Sequence, residues 1–358
     1  MEVLDYLKKL EENGFTAYIV GGYVRDYILD VKTYDVDIAT NAKPDEIRDV
    51  FNIQNKDNIG CINIKDDKYS IDITTFRKER SYFGHIPKKV KYIDDIKEDL
   101  KRRDFTMNTI CMDSNSKMYD FLGGMGDLSN KTIRVVGNYK KKLYQDPIRI
   151  VRALRFMSLY DFKIEDNALF YIIENKKLIK EISKTKLKEE IEFILSSKNC
   201  TKSFKYMNNL NLLDVMGIRL DRNLVFVDDL CGMWAQLEYD NSFPFKKEEM
   251  IKITAIKGII SKGKIEKRDI YEYGLDVCLT SASILDIDKK SIKKLNTNMN
   301  IHKGENLCID GNTITSLVEC QTKNIIKDIK LDLIENLISG KLKNEKKELK
   351  EYIKKKWK

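Results

Sequence analysis

Two aspartates, Asp35 and Asp37, follow closely on a glycine pair and an Arg-Asp in VGGYVRDYILDVKTYDVDIAT, residues 20–40. On a β-strand, residues two apart point to the same side, so the two carboxylates would stand next to each other. Uncompensated, such neighbours repel and one takes up a proton. An oxygen-seeking divalent cation keeps both ionised, and Mg2+ is the natural candidate. Gly21 and Gly22 give a turn without Cβ atoms where backbone N–H groups can approach an anion, and Arg25 carries a fork suited to the same group. Alone, either feature is common in turns and strand ends. At this spacing they read together as a site for a triphosphate and a metal ion.

Three further constellations extend this reading. Asp72, in Ser70-Ile71-Asp72-Ile73-Thr74, alternates with apolar neighbours and would complete a three-carboxylate cage if its strand lay beside Asp35 and Asp37. Such a cage suits two metal ions, one lowering the pKa of an attacking hydroxyl and one holding the phosphates and leaving oxygen. In Asp99-Leu100-Lys101-Arg102-Arg103-Asp104-Phe105 the arginines suit phosphate, and the carboxylate of Asp104 suits a ribose diol. In Gln145-Asp146-Pro147-Ile148-Arg149-Ile150-Val151-Arg152-Ala153-Leu154-Arg155 the Asp-Pro pair marks a helix start, with Asp146 as N-cap and Pro147 at N1. Ile150, Leu154 and Met157 are expected to form the buried stripe. Asp146, Arg149, Arg152 and Arg155 would share the other side.

Asp146 beside Arg149 sets one acceptor next to a donor fork. Cytosine and adenine each show an exocyclic amino donor next to a ring-nitrogen acceptor, whereas uracil and guanine show a carbonyl next to a ring N–H. Such a protein pair would select C and A, and a site built on hydrogen bonds rejects mismatched edges strongly.

These residues need a scaffold that holds strands beside helices. Amphipathic Val3–Leu10 predicts a helix, and strand signals follow at Ala17–Val20, Ile59–Ile64, Tyr69–Thr75 and Ile110–Met112. After about Gln145 the pattern turns almost wholly helical, over Pro147–Leu159, Asn167–Ile182, Leu187–Leu195 and a long stretch from Asn324 to Tyr352. Asp120–Leu128 is glycine-rich but lacks the Gly-Lys-Ser/Thr of a phosphate loop, and reads mainly as a hinge or domain connection.

At 358 residues the chain has room for two or more domains. A formal charge of +9, from 65 Lys+Arg against 56 Asp+Glu, points towards a polyanionic partner. The seven cysteines, at 61, 111, 200, 231, 278, 308 and 320, are scattered without C-x-x-C. They argue against a disulfide framework or zinc ribbon and fit reduced, mostly buried cytoplasmic thiols. His85 and His302 are the two histidines, too few for His-based zinc hydrolysis. With no apolar run of membrane-spanning length, neither secretion nor membrane insertion is expected.

GG-x-V-R-D, D-V-D, E-D-L-K-R-R-D-F-T-M-N and D-P-I-R-I-V-R-A-L-R-F, in this order and spacing from Ala17 to Phe156, resemble the class II tRNA nucleotidyltransferases and their relatives the bacterial poly(A) polymerases. Asn306–Gly311 and Leu337–Leu349 continue the likeness more weakly. The resemblance implies an α+β nucleotidyltransferase head of mixed sheet and helices (1–145). An elongated all-α neck (146–205), body (206–270) and tRNA-binding tail (271–358) would follow. It implies that Asp35 and Asp37 bind catalytic Mg2+, that Gly22, Arg25 and Arg103 contact the nucleotide, that Asp146 and Arg149 are the template for the base, and that Arg152 and Arg155 lie near the phosphates.

The implied reaction is template-independent addition of C and A from CTP and ATP to the 3′ end of tRNA, with no obligate protein partner and basic segments such as 341–358 holding RNA phosphates. Two departures from the family pattern concern completeness. Gln145 replaces the family's Glu before the template Asp, and the loop Gly84-His85-Ile86-Pro87 is short and lacks an Arg-Arg-Pro. A CC-adding or A-adding specialist is the alternative. Poly(A) polymerase is less favoured, because Gly60-Cys61-Ile62-Asn63 lacks the paired basic residues of those enzymes. A catalytically silent RNA-binding module and a small-molecule nucleotidyltransferase are rivals from other classes.

Overall fold

The computed structural model describes residues 2–53, 61–65, 68–83, 86–318 and 323–357, without the side chains of 80–83, 86–89 and 323. Within it the chain forms two compact units, Met1–Gly217 and Ile218–Lys358. The change of composition near Gln145 is therefore not a break in packing. The helices that follow it, as far as Gly217, share a unit with the sheet.

The first unit opens with α1 (Val3–Glu12), whose start is closed by the Glu2 N–H donating to Asp5. A turn at Gly14 leads into β1 (Ala17–Val20), then α2 (Gly22–Ile28), β2 (Asp35–Thr40) and α3 (Pro44–Phe51), with Pro44 in the first turn and the Lys43 N–H donating to Glu46. β3 (Cys61–Lys65) and β4 (Ser70–Thr75) return to the sheet, and β5 (Arg77–Phe83) with β6 (Ile86–Tyr92) makes a separate hairpin. After α4 (Ile96–Leu100), β7 (Cys111–Met112) and β8 (Met118–Tyr119) complete a six-stranded sheet of order β3-β4-β2-β1-β7-β8. β2 and β4 run parallel, and the other neighbours are antiparallel.

Alternation divides that sheet. Val36, Ile38, Ile71 and Ile73 are buried on one face, while Asp35, Asp37 and Asp72 take the other. Further along the aspartate face, Val20 and Ala39 pack with Phe76, Cys111 and the α4 residues Ile96 and Leu100. That cluster anchors α4, so the residues leaving its C-terminus, Arg102 to Asp104, are delivered to the sheet near Asp37.

α5 (Gly124–Ser129), β9 (Thr132–Ile133), α6 (Tyr139–Gln145) and α7 (Ile148–Tyr160) follow. The glycine-rich Asp120–Leu128 segment is not a hinge or domain connection. It lies inside the first unit, where Asp120 accepts from the N–H groups of Gly124 and Met125 to close the start of α5. The segment is glycine-rich for packing, since a Cβ on Gly124 would lie 2.3 Å from the Thr106 carbonyl oxygen.

β10 (Lys163–Ile164), α8 (Asp166–Glu174), α9 (Lys184–Leu195), α10 (Cys200–Asn209) and α11 (Leu212–Met216) finish the unit. The single helix expected over Asn167–Ile182 breaks after Glu174, where the Asn175 side chain donates to the Tyr171 carbonyl; a 3-10 turn, Lys176–Glu181, replaces the rest. On α7 the buried residues include Ile150, Leu154 and Phe156, whereas Met157 is only half-buried.

In the second unit, Trp234 is fully buried among Tyr239, Phe243 and Phe245, with ring centroids 5.1–5.3 Å away. Helices Lys247–Lys262, Lys267–Ile284 and Lys289–Thr297 lead to a C-terminal core of Ile301, Ile314, Ile329, Leu333, Leu337, Leu349 and Ile353. The long helix expected from Asn324 to Tyr352 is two, Lys323–Ile338 and Lys346–Lys356. Gly340 takes φ +78° and the Lys341 N–H donates to the Asn336 carbonyl, a left-handed stop that glycine favours. Asp332 gathers Tyr352, Lys356 and the Trp357 indole N–H, so one lysine of the basic tail is spent inside the fold.

The described cysteines are free thiols, and no helix of the described residues is long and apolar enough to cross a membrane. Cys320, Gly60, Gly84 and His85 lie outside the described residues.

Gly124→Ala is expected to cost about 1–3 kcal/mol of unfolding free energy, because its Cβ meets rigid backbone. Gly126→Ala, with open space around it, should be neutral or stabilising by up to about 1 kcal/mol. Chemical denaturation of both variants measures the difference, and equal stabilities would contradict the packing account.

Candidate nucleotide site

Three segments distant in sequence meet in one recess of about 340 Å3, whose lining includes Gly21, Gly22, Arg25, Asp37, Arg102, Arg103, Asp104, Asp146, Arg149, Arg152 and Arg155. Of the residues singled out from sequence, Gly22, Arg25, Asp37, Arg103, Asp104, Asp146, Arg149, Arg152 and Arg155 therefore come together. Asp35 and Asp72 do not line the recess.

Their place is set by strand register. Asp37 stands directly opposite Asp72 on β4, and Asp35 is two residues away on β2. Burial raises the Asp37 carboxyl above the ordinary range; Arg103 opposes the rise, and Asp72 and Asp35 add to it. The expected three-carboxylate cage is not closed as the side chains stand. Asp72 is engaged by the Asn63 amide at 2.8 Å, and among the described residues no three His, Cys, Asp or Glu side chains gather around a metal-sized point. Mg2+ needs no such cage, since one or two carboxylates plus substrate phosphates suffice. Asp35 and Asp37, an all-oxygen pair on one face whose mutual repulsion Arg103 offsets only in part, fit that ion.

Gly21 makes the close approach possible. Its φ is +77°, and a Cβ there would lie 2.6 Å from Asp37 Oδ2. Beyond it, Arg25 is 6% exposed and already committed. Its Nε and Nη2 donate to the two oxygens of Asp26 (2.9 and 3.0 Å), its Nη1 donates to Asn108 (2.7 Å), and its plane lies 5.0 and 4.9 Å from the Phe156 and Tyr160 rings. Tyr160 in turn donates to Asp26 at 2.7 Å. Arg25, whose fork suits a phosphate, is by these contacts first a strut between α2, α7 and the turn at Asn108.

Asp99, fully buried, accepts from the Arg77 N–H, Arg102 Nε and Arg103 Nη2, which orients both arginines. Burial would raise the Asp104 carboxyl, but Arg152, Asn108, Arg149 and the Phe105 N–H together bring it down to about 2. Arg152 Nη2 lies 2.7 Å from Asp104 Oδ2. This ion pair and the edge-on rings of Phe105 and Phe156, 5.5 Å apart, join the Arg103–Asp104 turn to α7.

On α7, Pro147 already has helical torsions, but Asp146 does not cap the helix. Its carboxylate turns to Arg149, 3.4 Å away, leaving the first turn without a side-chain cap. The arginine row is no solvated face. Arg155 is braced by Glu190 of α9 and stacks over Phe193 at 4.0 Å.

Sequence reasoning missed Asp26, Asn108, Tyr160, Asp99, Glu190 and Glu79, the last lining the recess beside Arg77 and Arg102. Asp26, Asp99 and Asn108 sit inside the quoted motifs, whereas Glu79, Tyr160 and Glu190 belong to no recognisable chemical pattern.

Among the described residues, the buried side-chain nitrogens and oxygens that lack a hydrogen-bond partner all belong to Arg103, Asp104, Asp146, Arg149, Arg152 and Arg155. Buried polar groups are otherwise almost always paired, so unpaired ones concentrated in one recess mark where a ligand's complementary groups would go. The set holds several cationic donors and one free acceptor, Asp146 Oδ1; Asp104 Oδ2 and Arg149 Nε lack a hydrogen bond but already sit in ion pairs with Arg152 and Asp146, so the recess matches an anion that also carries an amino donor.

Comparison with known proteins identifies the family. The family described as "Poly A polymerase head domain" matches residues 17–134, and "Probable RNA and SrmB- binding site of polymerase A" matches 161–217. The CCA-adding enzyme of Staphylococcus epidermidis is 30% identical over 382 residues, spanning 97% of this chain and 96% of its own; that of Staphylococcus haemolyticus is 29% identical over 387 with the same coverage. Among solved structures, the Bacillus stearothermophilus CCA-adding enzyme in complex with CTP superposes with a TM-score of 0.85 at 22% identity, covering 99% of this chain and 96% of that one. The Thermotoga maritima CCA-adding enzyme complexed with tRNA gives 0.65 at 21%, covering 98% and 93%. The structural likenesses carry the fold, and the sequence match, spanning nearly the whole of both chains, carries more: this chain belongs to the class II tRNA nucleotidyltransferase and poly(A) polymerase family.

Proposed function

We propose that this protein adds C and A nucleotides to the 3′ end of tRNA without a nucleic-acid template, using CTP and ATP and releasing pyrophosphate. The observation that carries the reading is the recess itself, where Asp37, the Arg103–Asp104 turn and the Asp146–Arg149 pair converge, with unpaired buried atoms on Arg103, Asp146 and Arg149. The curated relatives spanning nearly the whole chain are CCA-adding enzymes, which favours the complete triplet over a CC or A specialist.

In this reading the triphosphate lies along the Gly21–Gly22 turn, with Arg103 and Arg152 as its cationic walls. Asp104 accepts from the ribose hydroxyls. The base faces Asp146 and Arg149, where the unpaired Asp146 Oδ1 accepts from the exocyclic amino group and the unpaired Arg149 Nη1 donates to the ring nitrogen. Uracil or guanine would set a carbonyl against the carboxylate and an N–H against the guanidinium, leaving buried groups unpaired.

The tRNA 3′-hydroxyl oxygen then forms a bond to the α-phosphorus as the bond from that phosphorus to the bridging oxygen breaks, and pyrophosphate departs. To receive the hydroxyl proton, Asp72, opposite Asp37 but outside the recess, would have to turn from the Asn63 amide that holds it. Asp35 and Asp37 would hold Mg2+, which when bound favours ionisation of the hydroxyl and offsets charge on the phosphates. Discrimination is left entirely to protein side chains, which is why no template strand is needed.

Asp37→Ala should lower Mg2+-dependent incorporation of labelled CMP into a tRNA lacking CCA by roughly 10³-fold. Incorporation at the wild-type rate would overturn the metal assignment. Arg149→Ala should lower the preference for CTP over UTP by roughly 10–100-fold, the scale of a mismatched buried hydrogen bond, with a smaller fall in turnover. Competition among the four nucleotides measures this, and unchanged preference would contradict the base-edge assignment.

A further inference from the structure

Lys142, half-buried in the middle of α6, is outside every motif and does not line the recess. Its Nζ nevertheless donates to the carbonyl oxygens of Lys101 at 2.8 Å and Arg103 at 3.3 Å. Those carbonyls belong to the chain leaving α4, where backbone acceptors have no partner inside the helix. Between them, the Arg102 carbonyl is approached by Arg149 Nη2 at 3.5 Å, the limit of a hydrogen bond. Two cations from α6 and α7 thus share three consecutive carbonyls of the turn that carries Arg102 and Arg103. Arg149 is the one with another use, since its Nη1 is unpaired and its Nε meets the Asp146 carboxylate at 3.4 Å.

We propose that Lys142 is a positioning residue for nucleotide selection, occupying the carbonyls of the Arg102–Arg103 turn so that Arg149 stays turned to the base. The assignment rests on the nucleotidyl-transfer reading above. Arg149 carries a planar fork that suits adjacent oxygens. With the ammonium gone, the Lys101 and Arg103 carbonyls become unpaired acceptors within its reach, and the guanidinium is drawn off the recess onto backbone. The same loss loosens the turn, displacing Arg103 from the triphosphate wall.

Burial lowers the Lys142 amine to about 8; Arg149 and Arg102 add to the depression, and Glu79 and Asp104 oppose it. These facing groups are guanidiniums and carboxylates, which keep their charges from about pH 7 to pH 9. Lys142 is the member of the cluster whose charge changes in that window. Its folded pKa lies below the ordinary lysine value, so the clamp weakens as pH rises through about 8.

The test compares the full-length wild type, Lys142→Met and Lys142→Arg by calorimetric CTP binding from about pH 7 to 9. It adds CMP and UMP incorporation into tRNA lacking CCA, and thermal melting. Lys142→Met should weaken CTP binding and raise its KM roughly tenfold, the scale of one lost charge-assisted hydrogen bond, with kcat less affected and UMP incorporation raised relative to CMP. Lys142→Arg should restore affinity and base choice. Wild-type affinity should fall above about pH 8 while that of Lys142→Arg stays flat.

The proposal is overturned if Lys142→Met binds and discriminates as the wild type does. It is equally overturned if both variants lose stability and activity together without a change of base choice, or if the alkaline fall persists in Lys142→Arg. Should the wild type bind CTP yet transfer nothing to tRNA, the functional reading fails, and the calorimetric comparison still decides the role of Lys142.

Discussion

The Asp104–Arg152 ion pair is the contact on which the site depends. It spans from the turn after α4 to the middle of α7, and it sits beside the Phe105–Phe156 ring contact, so charge and packing fix one distance between sheet and helix. Remove that constraint and the Arg25 strut and the lysine contacts of α6 are left to hold Asp37, Arg103 and the Asp146–Arg149 pair in register. Asp104 holds its charge in a buried place because four partners outweigh the cost of burial, which explains a carboxyl near 2 beside an Asp37 that is raised. Environment alone separates the two aspartates.

The recess follows a repeated design. Each arginine is paired with a carboxylate: Arg25 with Asp26, Arg102 and Arg103 with Asp99, Arg149 with Asp146, Arg152 with Asp104 and Arg155 with Glu190. The carboxylate fixes the guanidinium plane, and the remaining N–H groups face inward. Arg103, Arg149, Arg152 and Arg155 keep unpaired nitrogens, whereas Arg25 spends its fork on Asp26 and Asn108. On the proposed reading, pre-orientation of this kind would lower the ordering cost of binding a flexible triphosphate and let a base edge be read by geometry.

Much of this was legible from residue order. Period-two alternation placed Asp35, Asp37 and Asp72 on one face, and the Asp-Pro pair marked where α7 begins. What escaped was set by distance in the chain. Tyr160 reaches Asp26 across 134 positions and Glu190 reaches Arg155 across 35, and no local pattern encodes such pairs. Other departures had competing local chemistry. Asp146 was expected to cap its helix but pairs with Arg149, a stronger partner than a backbone N–H. The Asp120–Leu128 glycines looked like a hinge because flexibility and close packing use the same residue. The long helices at Asn167 and Asn324 broke where Asn175 and Gly340 satisfy helix-end carbonyls.

The central claim is that protein side chains, at Asp146 and Arg149, stand in for a template base. A crystal structure of the full chain with CTP and Mg2+ tests it most directly. The account predicts the cytosine amino group on Asp146 and its ring nitrogen on Arg149, with the triphosphate against Gly21–Gly22 and Arg103. A cytosine edge turned away from both side chains, with the triphosphate nonetheless in place, would contradict it.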